Sequence, residues 1–472
     1  MSYTPTIGLE VHAELKTESK MFCGCKNDPH SSEVNSNICP VCLAHPGTLP
    51  VPNEHAIKKV LLFGEAVGAT AATYSEFDRK NYFYPDIPKA YQISQYAFPF
   101  LSGGELEGIA LTRVHLEEDT ARNQHDKGTG SLVDFNRSGV PLMELVTEPV
   151  IHDQATAGQF ARELQLLLRT FGISDANMER GEMRVEANIS VSKEEGVLGT
   201  KVEVKNLNSF KSVEAAIAYE IARQIELLES GGEVAQETRG WDENRSKTFS
   251  QRSKETAKDY RYFPDPDIPK MDISLIGDFS KARLNEIMPK LPSNKRTEYE
   301  NLGLTRESIE TMISQAELDS FFAAVLLDAN AKDNAEVLTL AANYLTSDVV
   351  PLLADPQYSL EQLSVAHYIE LMTMLYEGKI GSRVAKDLLS TMFAATKGPL
   401  TLAEEQGLLQ VSDTSSLQGF IDEVIAENPT VVADYKAGKE VALKFLVGQG
   451  MKKSKGAANP AVLNEMLQRA LK

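Results

Sequence analysis

The sequence predicts an α+β protein. An N-terminal, largely antiparallel β-sheet cradle with flanking helices occupies residues 1–292, an all-α helical domain follows at 293–400, and a small helical tail domain closes the chain at 401–472. Three observations carry this. Several segments of the first half alternate apolar and polar residues with the period of a half-buried strand. Two of the helical-period stretches between them are stopped by glycine, at Gly172 and at Gly231-Gly232. After Leu291-Pro292-Ser293-Asn294, read as a linker, nearly everything has helical period and is rich in Leu, Ala and Glu.

Length and composition set the frame. A chain of 472 residues, 42% hydrophobic and 24% charged, is long enough for two or three domains with full cores. A formal net charge of −19 excludes a non-specific polyanion binder, so any nucleic-acid contact must be local, shape-dependent or shared with a partner chain. The first residues lack a basic n-region and a long apolar run, and no stretch approaches the ~20 apolar residues of a membrane helix. A cytoplasmic protein without a membrane segment is therefore expected, and disulfides are not.

The first strand is the key element. Ile7, Leu9, Val11, Ala13 and Leu15 fall on one face, and Glu10, His12 and Glu14 on the other. Same-face side chains lie roughly 6–7 Å apart, a separation at which carboxylate and imidazole can share a divalent ion. The plainer alternative is a solvated strand face. All four cysteines follow, as Cys23-x-Cys25 and Cys39-Pro40-Val41-Cys42, so the 23–42 loop reads as a tetrahedral zinc site, against the alternative of free thiols. His30 and His45 are substitute ligands. With its cysteines engaged, the chain has no thiol nucleophile, which argues against a cysteine-type glutaminase.

A helical pattern runs from Val51 to Ala72. The stretch Phe77 to Gln92 then combines tyrosines, prolines and the cations Arg79, Lys80 and Lys89, as either a phosphate- or nucleoside-lining loop or a well-packed Tyr/Pro loop. The acids of Arg113-Val114-His115-Leu116-Glu117-Glu118-Asp119 are hard-cation ligands or ordinary solvated charges. Glu144 lies within Leu142, Met143, Leu145 and Val146, where burial is costly unless it is paired or metal-bound. Phe160 to Phe171 reads as an amphipathic helix stopped by Gly172. Arg180 to Val191 alternates again and Gly199 to Phe210 is a further strand, running into a polar turn before a helix from about Val213 to Glu229. Arginines among the aromatics around Trp241 and Tyr260–Phe263 again suggest a site-lining loop. Breaks near Pro356, Gly378, Gly398-Pro399 and Asn428-Pro429 punctuate the helical half. Residues 451–472 carry five Lys/Arg against one Glu; Gly448 to Pro460 reads as a basic turn, either an RNA-backbone contact or a solvated cap. Neither a G-x-x-x-x-G-K-[ST] loop nor a G-x-G-x-x-G after a strand is present, so nucleotide chemistry would rest on carboxylate-bound Mg²⁺ and basic loops.

Six motifs occur in order: Ile7 to His12, Phe77 to Asp86, Gln92 to Gln95, His115 to Asp119, Lys205 to Ser209 and Asp259 to Pro264. Together they resemble the B-subunit family of the bacterial aspartyl/glutamyl-tRNA amidotransferases, essentially end to end, the tail matching at Lys455-Gly456 and Asn459-Pro460. The resemblance implies an ATP-dependent ligase of translation, working in a heterotrimer with an A-type subunit (the Ser-type glutaminase) and a small C-type subunit. It implies Glu-tRNA(Gln) and Asp-tRNA(Asn) as substrates, whose side-chain carboxylate is phosphorylated and then amidated by ammonia from the glutaminase. It maps the Mg²⁺ ligands to Glu10, His12, Glu118 and Glu144, the ammonia and substrate passage to Lys80, Tyr82, Lys89 and Arg184, a structural Zn²⁺ to Cys23, Cys25, Cys39 and Cys42, and tRNA contact to Lys452, Lys453 and Lys455. Two other readings contrast with it. A zinc-stapled RNA-binding module without catalysis leaves Glu144 and the Glu10/His12 face unexplained. A stand-alone glutaminase requires the chain by itself to release ammonia from glutamine.

Overall fold

The structure is a computed structural model describing residues 3–31, 33–124, 130–194, 196–253, 260–328, 331, 334–394, 397–410, 414–454 and 458–471. The chain divides at Pro292 into two compact units. Lys455, Gly456 and Asp259, singled out above, lie outside the described residues.

The first unit is organised by β1 (Thr4–Glu14), whose alternation is realised: Ile7, Leu9, Val11, Ala13 and Leu15 are at most 2% exposed. The helix α1 (Glu54–Ala66) starts at Asn53, whose side chain accepts from the amides of His55 and Ala56; this is later than the Val51 read from the pattern. Two short strands, β2 (Asp78–Asn81) and β3 (Tyr91–Ser94), pair with each other within the Tyr/Pro region. The long strands β4 (Ile109–Glu118) and β5 (Pro141–Thr147) precede α2 (Gln154–Thr170). Then come β6 (Met183–Ser192), β7 (Val202–Leu207), α3 (Phe210–Glu229), β8 (Glu237–Asp242) and β9 (Lys247–Ser253).

Among the described residues the large sheet has ten strands, in the order β9-β8-β7-β6-β1-β5-β4 and on to the short strands Leu101–Ser102 and Thr70–Ala71, with Glu105–Leu106 also pairing β4. Its pairings are antiparallel except β7–β8, which are joined through α3 and run parallel. A parallel neighbour needs a crossover, and α3 supplies it. Helices α1, α2 and α3 share one core with the apolar side chains of the sheet. The opposite face, left without a helix from this set, keeps the polar halves of the alternating strands.

The second unit is helical. Pro292–Asn301 forms a helix rather than the linker expected there, because proline at a first helical position gives up no hydrogen bond. Gly378 sits at φ +69 between the helices Val365–Tyr376 and Ser382–Met392, and Pro399 opens another. Helices α4 (Thr414–Glu427), α5 (Pro429–Lys436), α6 (Val441–Lys453) and α7 (Pro460–Leu471) share a hydrophobic cluster of their own, built on Leu417, Ile421, Leu446, Leu463 and Leu467. The segment read as a basic turn from Gly448 therefore begins inside α6: glycine's weak helix propensity is overridden at Gly450 by close packing against Leu463. No described helix is long and apolar enough to cross a membrane.

Candidate metal centre on the sheet face

Strand register builds the site. His12 on β1 pairs with Glu144 on β5 and with Arg184 on β6, and Glu144 pairs with His115 on β4. One row across four strands thus reads His115, Glu144, His12, Arg184. The neighbouring row sets Glu10 opposite Val146 and Glu186. A sheet face aligns such groups because side chains opposite one another in adjacent strands sit about 5 Å apart.

The resulting contacts are close. Nε2 of His12 lies 3.3 Å from Glu144, 3.7 Å from Glu117 and 3.9 Å from Glu10. Nε2 of His115 lies 3.3 Å from Glu144 and 3.9 Å from Glu117. Arg113 approaches Glu144 to 3.8 Å. Glu10, His12 and Glu144 have ligand atoms within 4.8 Å of one another, as do His115, Glu117 and Glu144.

Electrostatics follow from this crowding. Burial, then the adjacent Glu144, pushes Glu10 up to about 7. Burial alone would lower His12, but the hydrogen bond to Glu144 and the charges of Glu144, Glu117 and Glu10 hold it up at about 9. Burial would likewise raise Glu144, yet the two imidazoles keep it well below the usual carboxylate range. Carboxylates and imidazoles that take up protons to coexist are groups from which a divalent cation displaces those protons. The donor set, carboxylate oxygen with imidazole nitrogen, fits such an ion.

Of the four residues mapped as magnesium ligands, the structure brings three together, Glu10, His12 and Glu144. Glu118 goes elsewhere. It is the last residue of β4, and the period of two sends it to the face opposite Glu117. There it accepts a hydrogen bond from Lys89 Nζ (2.7 Å) and another from the amide of Ile93 (3.0 Å). Glu117 takes its place at the cluster, where Ser94 Oγ donates to it at 3.1 Å. His115 and Glu117 carried a readable signal, since they share the face of Arg113 along the strand.

The other assigned residues distribute around this centre. Lys80, on β2, is lowered by burial but raised well above its ordinary value by Glu117, Tyr262 and Glu144, and its ammonium sits 5.3 Å from the Tyr260 ring. Tyr82 contacts Gln92 at 3.5 Å, and burial raises its phenol. Arg184 binds Asp119 at 2.9 Å, with Arg137 on the same carboxylate at 3.6 Å. Lys89 is held by Glu118 beside a cavity of about 270 Å³ lined in part by Cys42, His45, Pro88 and Tyr91. In the second unit, Lys452 is exposed, whereas Lys453 pairs with Glu423 and Glu427, each at 2.7 Å.

The four cysteine sulfurs lie within 4.8 Å of one another, a closed soft-ligand set compatible with structural zinc. The hydrogen bond from Cys23 contributes most to lowering Cys42 to about 5. Lys20, 1% exposed, directs Nζ at Cys42 Sγ (3.8 Å) and donates to the carbonyl of Phe135 (3.2 Å). Sequence reasoning missed this lysine, because nothing local marks it as buried. His30 faces Glu182 at 3.4 Å and His45 is exposed, so neither joins the cysteines.

Residues 5–275 match the family model described as the GatB/GatE catalytic domain, and residues 325–471 match one described as the GatB domain. A relative from Herpetosiphon aurantiacus, the B-subunit of an aspartyl/glutamyl-tRNA(Asn/Gln) amidotransferase, is 43% identical, covering 100% of this chain and 99% of its own. Relatives of the same description from Caldanaerobacter subterraneus and Gloeothece citriformis are each 42% identical, covering 100% and 99% of this chain and 100% and 98% of their own lengths. The catalytic-domain match spans the sheet that carries the Glu10–His12–Glu144 cluster, and with relatives similar from end to end the chain belongs to the GatB/GatE family of tRNA amidotransferase subunits.

Proposed function

We propose that this chain is the carboxylate-activating subunit of an ATP-dependent tRNA amidotransferase, acting on Glu-tRNA(Gln), Asp-tRNA(Asn) or both. The observation that carries the reading is the convergence of Glu10, His12 and Glu144 on one sheet face. A side-chain carboxylate resists attack by ammonia. Transfer of the γ-phosphoryl group of ATP to a carboxylate oxygen gives an acyl phosphate and ADP. Ammonia then forms the C–N bond, the bond from carbon to the phosphate oxygen breaks, and the nitrogen loses a proton.

Glu10, His12 and Glu144 would hold Mg²⁺, which when bound supplies charge neutralisation at the phosphoryl oxygens. Lys80 offers a fixed positive charge to the phosphoryl group. Tyr82, Lys89 and Arg184 line the approach of substrate and ammonia, and Asp119 fixes the Arg184 guanidinium. The cysteine quartet holds zinc in a structural role. Within the helical half, 293–400 spaces and 401–472 contacts tRNA, with Lys452 and Lys455 as contacts to its backbone and Lys453 bracing α6 against α4. Ammonia comes from the A-type glutaminase partner, and the small C-type partner completes a heterotrimer.

The test uses the complex reconstituted with its glutaminase and third subunits. Glu10→Gln and Glu144→Gln should abolish amidation with free ammonia while leaving misacylated-tRNA affinity within about twofold, since neither group is a cation that a phosphate backbone would recruit. Full activity in both variants would sink the reading. The chain alone should release no ammonia from glutamine.

A further inference from the structure

Aromatic rings gather at the rim of the site. Tyr82 and Tyr260 meet edge to face with centroids 5.9 Å apart, Tyr260 and Tyr262 likewise at 6.2 Å, and Tyr262 stacks on Tyr96 at 4.5 Å with the ring planes 13° apart. Four rings from three separate segments thus form one ladder. It begins beside the metal centre. Lys80 Nζ lies 5.3 Å from the Tyr260 ring, and Tyr96 follows two residues after Ser94, which donates to Glu117. Burial raises the Tyr262 phenol, Lys80 opposes it, and the charges of Glu117 and Glu144 add to the rise. The ladder ends in solvent, with Tyr96 50% exposed. Phe83 and Phe263, next in sequence to Tyr82 and Tyr262, are 78% and 45% exposed.

These rings are held firmly. The amides of Tyr96 and Ala97 donate to one carboxylate oxygen of Asp78, at 2.8 and 3.2 Å. Asn81 Nδ2 donates to the carbonyls of Tyr260 and Arg261, at 3.2 and 2.8 Å. Phe263 pairs with Arg79, whose guanidinium is fixed by Asp265 at 2.7 Å. Asp78, Arg79 and Asn81 all belong to β2, so one strand ties down both outer segments. Exposed rings ordered in advance mark a contact surface, because the entropy of fixing them is spent before the partner arrives.

Chemistry selects the partner. A small nucleotide is normally enclosed by a pocket that covers most of its surface, whereas these rings stand on an open rim. A protein partner favours a patch whose centre is poor in charge, whereas Lys80 and the exposed Arg261 sit among these rings. Rings interleaved with cations suit a single strand of nucleic acid, whose bases stack and whose phosphates need positive charge. We propose that the unpaired 3′-terminal base of the aminoacylated tRNA continues the Tyr262–Tyr96 stack, with Arg261 against the adjoining phosphate. The proposal rests on the reading above and extends it to substrate positioning. The reacting carboxylate hangs from the terminal ribose, so a stacked terminal base fixes how far that carboxylate reaches toward Glu10, His12 and Glu144.

The experiment uses the three-subunit complex and a glutamyl-tRNA(Gln) analogue with 2-aminopurine in place of its 3′-terminal adenine and a stable amide in place of the ester. Stacking quenches 2-aminopurine fluorescence. The parent complex and Tyr96→Phe should both quench the probe, and Tyr96→Leu and Tyr262→Leu should not. In amidation with free ammonia the leucine variants should raise the KM for misacylated tRNA at least about fivefold, the low end for one stacked base, and move the KM for ATP less than about twofold. A probe that binds the parent complex unquenched overturns the platform, whatever the variants do. A raised KM for ATP with an unchanged KM for tRNA overturns it and gives the rings to the nucleotide. Loss of the glutaminase subunit from the leucine variants on gel filtration, with quenching intact, overturns it and makes the rings a subunit contact. In each of these cases the parent still amidates, so the reading of the metal centre stands; a parent complex that amidates no misacylated tRNA overturns both.

Discussion

Asp119→Asn is the most informative single change outside the metal-binding groups. Asp119 is 4% exposed and holds Arg184 at 2.9 Å and Arg137 at 3.6 Å. Burial would raise its pKa, but the two guanidinium groups and the amide of Thr120 keep it below its ordinary value. The amide variant keeps the shape and removes the charge. Arg137 retains the carbonyls of Thr120 (3.0 Å) and Ala121 (3.4 Å), so the loss falls on Arg184. Breaking a buried pair from one side costs about 3–5 kcal/mol. The Arg184 side chain is 31% exposed and can turn toward water, which places this case near 3 kcal/mol. For a unit of nearly 300 residues that lowers the melting temperature by roughly 5 °C. Calorimetry on the full chain at neutral pH measures it. Because the folded pKa is depressed, the contribution of Asp119 is complete above pH 3.8 and disappears as pH falls through the lower folded value, so the gap between variant and parent should close in strong acid. A variant melting within about 1 °C of the parent at neutral pH would refute the view that this carboxylate anchors Arg184.

Other outcomes follow from the same geometry. His12 has a folded value raised from 6.5 to about 9, so in magnesium-free buffer its contribution to stability is whole below pH 6.5 and is lost as pH rises through about 9; urea midpoints of the parent should fall across that window, and those of Glu144→Gln should fall much less. Removing zinc with a chelator, or replacing Cys39 and Cys42 by serine, should destabilise the first unit by several kcal/mol, with one zinc lost per chain by atomic absorption. Lys20→Met should weaken zinc retention by roughly 10–100-fold in a competition assay, because the buried ammonium beside Cys42 offsets thiolate charge. Lys452→Ala should weaken tRNA binding more than Lys453→Ala in a filter assay, since Lys453 is already engaged by two glutamates; equal losses would show that the ion pairs open on binding.

The alternation in β1 made its buried and polar faces legible, because each residue of a strand declares its side by parity. The cysteine spacing was equally legible, since soft ligands in close pairs have few other uses. The helix starts at Glu54, Gln154 and Phe210 lie three to six residues from the Val51, Phe160 and Val213 read from the pattern, since apolar period marks a helix's buried face and not its cap. The ligand mapping parts from the geometry at two adjacent acids. Glu117 and Glu118 differ in sequence by one step, and the family motif covers both. Only the parity of β4 relative to β5 separates them, and that is a tertiary fact. Lys205, Asp119 and Lys20 were opaque for a related reason: the partner that gives each its meaning lies on another strand or loop. At Pro292 the helix-breaking reputation of proline misled, because a first-turn position suits it.

The place of β1 at the centre of the large sheet governs the order in which the chain can assemble. Its two neighbours, β5 and β6, begin at Pro141 and Met183, long after Glu14 has been made. About 125 residues separate the end of β1 from the start of β5, so at ~5–20 residues per second the strand spends on the order of ten seconds or more outside the ribosome with both edges bare. Five apolar side chains on an unpaired edge are a template for wrong partners. Translation speed and the capture of nascent hydrophobic segments therefore decide how much of this protein reaches a form in which Glu10 and His12 ever meet Glu144.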